Sequence, residues 1–131
     1  MTEFHKALMT FWQSFGDPVY LAGCVEDQAE FPYFTIEIGE GSLLGQTVLT
    51  AHSWHRRNPE ESWTRAMTER LHRMDAVQKA IPAKNGTMLK FPGGYAILNR
   101  NDANFISYVT DPEDQNVIGG RVSYEVRFFN T

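Results

Sequence analysis

Several absences bound what this 131-residue chain can be. It has one cysteine, Cys24, so no disulfide can form within the chain, and a reducing compartment suits it. No run of about 18 apolar residues occurs, so no membrane-spanning helix is expected. The opening M-T-E-F-H-K lacks the basic-then-apolar order of a secretion signal. Positive charge is scarce: 12 Lys and Arg stand against 16 Asp and Glu, for a formal charge of −4. A nucleic-acid reader usually presents a basic face, so direct nucleic-acid readout is not expected. No internal repeat, linker or low-complexity segment interrupts the chain.

What is present is apolar and aromatic. Hydrophobic residues make up 42%, and nine Phe, five Tyr and three Trp are too many for a disordered chain. A chain of this length buries about two thirds of its unfolded surface, so one domain spanning 1–131 is expected.

Local patterning sets the element order. Thr2 can cap a helix to about Phe15, with Phe4, Leu8, Phe11, Trp12 and Phe15 along one face. That aromatic face suits packing on a sheet, and part of it suits another subunit. A strand is predicted over Val19 to Val25. A second holds Phe34, Ile36 and Ile38 in alternation, and a third runs from Gln46 to Arg57. The third has Val48 and Trp54 on one face and Leu49 and Ala51 on the other, so it is either central or covered by a partner. Asn58-Pro59-Glu60-Glu61 reads as a capped helix start. Trp63, Met67, Leu71, Met74, Val77 and Ile81 then form its apolar stripe, and Glu61, Arg65, Glu69 and Arg73 a charge ladder marking its solvent face. Pro82 ends it. Strands follow near 86–90, Tyr95 to Arg100, Phe105 to Thr110, and Arg121 to Phe128, the last with the cleanest alternation. Phe91-Pro92-Gly93-Gly94 reads as a turn, and so does Asn85-Gly86-Thr87 despite its match to a glycosylation sequon. The fold class is α+β. Two helices are expected on one face of a mostly antiparallel, mixed sheet, in the order α-β-β-β-α-β-β-β(-β).

No pattern points to catalysis. His52 and His55 stand three apart on a strand and so point to opposite faces, which disfavours a shared metal. Cys24 has no nucleophile motif around it and reads as a small buried hydrophobe. Gly39, Gly41 and Gly45 are followed by a strand rather than the helix a phosphate loop needs. Asp111, Glu113 and Asp114 lack calcium-loop spacing. His55-Arg56-Arg57 suits salt bridges. No catalytic, metal-binding or cofactor-binding residue is expected.

The stretch from Glu30 to Arg57 is the most informative. Two strand-like runs flank a glycine-rich tip that carries Leu43 and Leu44, where polar residues are usual. Adjacent leucines there suit either a fold back onto the sheet or a surface covered by another protein. Leu43, Leu44 and Trp54, with Val117 and Ile118 beside a flexible Gly119-Gly120, are the candidate subunit contacts.

In order along the chain, F-W-Q-S-F-G-D-P-V-Y, A-E-F-P-Y-F-T-I-E-I, T-A-H-S-W-H-R-R, N-P-E-E-S-W, G-G-Y-A-I-L-N-R and V-S-Y-E-V-R-F-F-N resemble the tail-terminator and tail-completion proteins of long-tailed bacteriophages. The resemblance covers nearly the whole chain and lies in element order and local flavour. It implies a non-enzymatic virion protein, from a phage or a prophage, that assembles in the bacterial cytoplasm. Such a protein forms a homo-oligomeric ring, a hexamer, that caps the tail tube and joins it to head–tail connector proteins. A head-side neck or head-completion protein is the related alternative. A small α+β enzyme or ligand-binding domain, or a regulatory adaptor, is the unrelated one.

Overall fold

The computed structural model describes residues 2–38, 46–101 and 104–130. In chain order the elements are α1 (Glu3–Gln13), β1 (Val19–Leu21), β2 (Tyr33–Ile36), β3 (Gln46–Arg56), α2 (Trp63–Ala80), β4 (Thr87–Phe91), β5 (Gly94–Arg100), β6 (Ile106–Thr110) and β7 (Val117–Asn130). Among the described residues, two helices and a mixed seven-stranded sheet give an α+β fold, as expected.

The sheet is organised on β7. One edge of β7 pairs antiparallel with β3 from Val117 to Arg127. Its other edge is shared, with β6 against Ile118–Val122 and β5 against Tyr124–Asn130. β4 adds to β5, and β2 adds to β3. Only β1, alongside β2, is parallel. The β4–β5 hairpin closes on Pro92-Gly93, with Gly93 at φ 94, a conformation costly for a residue with a Cβ.

Strand alternation gathers one face of the sheet into the core. Val122, Tyr124 and Val126 lie on it with Leu49 and Ala51 of β3, Phe34 and Ile36 of β2, and Ala96 and Leu98 of β5, all buried. Helix α1 lays Phe4, Leu8 and Trp12 against this face. The Trp12 indole Nε1 donates to the Tyr124 hydroxyl at 3.3 Å, and the Phe4 ring sits 4.7 Å from that of Phe128. The start of α1 is fixed by a capping box. Thr2 Oγ1 accepts from the His5 amide at 3.2 Å, and His5 Nδ1 accepts from the Thr2 amide at 3.4 Å.

Helix α2 departs from its sequence reading in three ways. Its cap is Ser62, whose Oγ accepts from the Arg65 amide at 3.1 Å, rather than Asn58. The Asn58 side chain instead accepts from the Glu60 amide at 2.9 Å, which closes a local turn before the helix. Second, the apolar stripe splits. Met74, Val77 and Ile81 are buried with Ala66, whereas Trp63, Met67 and Leu71 are 40%, 48% and 57% exposed. Met67 and Leu71 lie about 40° and 80° round the helix from Trp63, away from Val77, whereas Trp63 shares the direction of Ile81 and is exposed as the first residue of the helix. Third, the charge ladder is only in part a solvent face: Arg65 is exposed, but Glu61 and Arg73 are not. Arg73 is largely covered and binds Asp17 at 2.8 Å and Glu69 at 3.3 Å, tying α2 to the turn after α1.

Three shorter corrections concern loops. The strand expected over Val19 to Val25 ends at Leu21, because the Cys24 amide turns back to the Leu21 carbonyl at 2.9 Å. Cys24 is exposed rather than buried. Gly119 and Gly120, expected to be a flexible segment, lie inside β7.

Candidate interaction surface

The face of the sheet turned away from α1 is laid out by the same register. Trp54 and His52 of β3 stack with ring centroids 5.5 Å apart and planes 3° apart. Tyr95 of β5 and Phe129 of β7 stack at 4.9 Å, and Tyr20 and Tyr33 meet edge-on at 5.5 Å. Val48 and Met88 also lie on this face and are exposed. Trp54 is half-buried and pairs in register with Gly119, whose missing Cβ leaves room for the indole. On the core side, Gly120 leaves the same kind of room for the Met74 side chain.

His52 stands opposite Arg121 in the ladder. Burial first, and the Arg121 guanidinium second, hold its imidazole below the ordinary value of 6.5, against an opposing pull from Glu37. A histidine harder to protonate when folded favours the unfolded chain once that chain takes up its proton. Stability is therefore expected to be level above about pH 7.5 and to fall as the pH drops through 6.5 toward the lower folded value. Denaturant midpoints between pH 8 and pH 5 test this. The decline should be shallower in His52→Gln, and equal slopes in the two proteins would contradict it.

The basic run after β3 is engaged internally. His55 Nε2 meets Glu61 Oε1 at 2.9 Å, and Arg56 pairs with Asp114 at 3.2 Å. Arg57 donates to the Glu61 carbonyl at 2.9 Å and to Asn116 Oδ1 at 3.0 Å, with its guanidinium 4.5 Å over the Trp63 ring. This clasp holds the loop ahead of α2 onto the start of β7. Among the described residues, no group of three or more His, Cys, Asp or Glu is placed to hold a metal ion.

Leu43 and Leu44 lie outside the described residues. Val117 and Ile118 do not form a surface patch. They are 6% and 2% exposed and pair with Arg56 and His55 at the head of β7. The neighbouring Gly119-Gly120 suggested a flexible contact segment, but all four residues lie inside β7.

A surface that sequence reasoning assigned to the core lies on α2. Trp63, Met67 and Leu71 form an exposed apolar row, and Tyr108 of β6 is 50% exposed. Between α2 and β6 runs a groove of about 320 Å³ lined by Leu71, His72, Met74, Gln78 and Tyr108 among others. The Arg70 guanidinium lies 4.7 Å over the Tyr108 ring at its rim. The four-residue spacing of Trp63, Met67 and Leu71 gave no warning of this, since Phe4, Leu8 and Trp12 have the same spacing and are buried. No protein-family model matches this chain, and comparison with curated proteins returns no match.

Proposed function

We propose that this protein is a non-enzymatic virion assembly component of the tail-terminator kind, which forms a ring and works through protein–protein contact. The observation that carries the reading is the apolar surface left outside the core. Leu71 and Tyr108 line one groove, Trp63 and Met67 lie exposed on the same helix as Leu71, and Val48 and Met88 lie exposed on the sheet. Isolated exposed apolar residues are ordinary, but a row of them along a groove marks a contact site. The architecture suits this role. With both helices packed on one face of a mostly antiparallel sheet, in the order α-β-β-β-α-β-β-β-β, the other face is left for neighbours. A ring needs two different complementary surfaces on each subunit, placed so that their contact closes. In this reading the chain needs no cofactor, and its partners are copies of itself, the tail tube and connector proteins.

Size-exclusion chromatography with light scattering, followed by negative-stain imaging, tests the reading. Rings of about six copies are the expected result. A protein that stays monomeric at high concentration and in the presence of tail tubes overturns it. Changing Leu43 and Leu44 together to serine is expected to abolish assembly while leaving the circular-dichroism spectrum and unfolding midpoint unchanged.

A further inference from the structure

We infer, resting on the assembly reading above, that copies of the chain join head to tail through oppositely charged edges of the sheet, the basic β4 edge of one copy against the acidic β1–β2 edge of the next. The sequence carries the charge split. Residues 7–55 hold six Asp or Glu and no Lys or Arg, whereas residues 76–101 hold four Lys or Arg and no Asp or Glu. The fold turns this split along the chain into one across the sheet. The first stretch supplies β1, β2 and most of β3, and the second supplies β4 and β5. Strand order then places β1 and β4 at opposite ends of the sheet.

The charges at both ends are open. Glu26, Asp27 and Glu30 are exposed on the connection from β1 to β2. Lys84 and Lys90 are exposed just before β4 and within it. Among the described residues none of the five has an ion-pair partner. Other charges near β4 are engaged locally. Glu3 holds Lys6 at 3.3 Å, and Arg100 donates to the Ile81 and Gln78 carbonyls. The main chain of β4 is open as well. Its hairpin closes on Phe91 and Gly94, so Thr87, Leu89 and Phe91 bond to β5, and the N–H and C=O groups of Met88 and Lys90 point away from it.

An acidic segment is the occupant that this edge fits. A space of about 470 Å³ lies between β4 and α1, and among the described residues lining it only Lys90 is charged. The groove lined by Leu71 and Tyr108 opens on the same side of the sheet, because β6 and β5 share one edge of β7. Asp75, the one acid in that lining, is held by Lys79 at 3.1 Å. Apolar contact there supplies affinity, and the charges set which edge meets which. Pairing two β4 edges would bring lysines together, and pairing two β1 edges would bring acids together. Unlike edges therefore meet, and an interface between unlike surfaces is the kind that closes into a ring.

Charge reversal tests the pairing. Lys84→Glu with Lys90→Glu, and separately Glu26→Lys with Asp27→Lys and Glu30→Lys, are each expected to weaken association by about 10-fold or more at low salt. One chain carrying all of these changes has both edges reversed, and it should associate within about threefold of the wild type. Sedimentation velocity over a concentration series reads the three variants. All the altered positions are exposed, so the fold should tolerate the changes, and circular dichroism checks it. If net charge alone governed association, the first variant, more acidic than the wild type, and the second, less acidic, would move in opposite directions. As a second measurement, wild-type association should weaken by about 10-fold as salt rises from about 0.05 to about 0.5 M. Loss in only one of the two edge variants, no recovery in the combined chain, or indifference to salt overturns the edge pairing, while a wild type that still assembles leaves the assembly reading standing. A wild type that never assembles overturns both.

Discussion

Replacing Trp12 by alanine is expected to remove about 4 kcal/mol of folding stability. The indole is fully buried and touches four aromatic rings, those of Phe11, Phe15, Phe34 and Tyr124. It is the main point at which α1 meets the centre of the sheet. Truncation removes its transfer energy and leaves a cavity that the surrounding β2, β3 and β7 backbone, held by ladder hydrogen bonds, cannot close. Domains of this size are stable by about 5–15 kcal/mol, so the loss would be a large fraction of the total. Tyr124→Phe separates packing from hydrogen bonding. It keeps the ring and strips the Trp12 Nε1 donor of its acceptor, for about 1–2 kcal/mol. Burial pushes the Tyr124 phenol well above its ordinary range, so this partner stays protonated over the working pH of the fold. Urea unfolding with matched m-values measures both. A loss below about 1 kcal/mol for Trp12→Ala would show that α1 is not anchored there.

The second large effect is expected at Gly119. A Cβ at this position would run into the carbonyl oxygen of Ser53 and the edge of the Trp54 ring. The oxygen belongs to the β3 backbone and cannot withdraw without disturbing the β3–β7 ladder. Gly119→Ala should therefore cost about 3 kcal/mol, at the upper end for overpacking. Gly120→Ala is the internal comparison. The nearest atoms its Cβ would meet all belong to the Met74 side chain, which is flexible and able to repack, so about 1 kcal/mol is expected. Thermal and denaturant unfolding of the pair give the ranking. Tryptophan fluorescence should also report a displaced Trp54 in Gly119→Ala and not in Gly120→Ala. An equal or reversed ranking would mean that the ladder gives way more easily than a methionine.

These two glycines show where reading the sequence fell short. Side by side before a strand, Gly119-Gly120 read as a flexible segment. Their role is to admit Trp54 on one face of the sheet and Met74 on the other, and neither neighbour is close in sequence. The same holds for Val117 and Ile118, which were expected to be exposed contacts. Their burial comes from pairing with β3, more than sixty residues away. At Asn58 the local cap signal was sound in kind but misplaced. The side chain spent its hydrogen bond on Glu60, while Glu61 was drawn to His55.

Local periodicity by itself determined the α+β class, the order of elements, the core line Phe4–Leu8–Trp12 and the alternation of β7, because each is set by residues within one or two turns or strand repeats. It likewise placed His52 and His55 on opposite faces of β3. Which side of α2 is covered was decided by the tertiary structure alone. The helix is apolar over an arc wider than the sheet can bury, and only the packing of Met74 and Val77 determines which part of it stays outside. The part left outside, Trp63, Met67 and Leu71, with Leu71 and Tyr108 lining one groove, is the surface on which the proposed assembly rests.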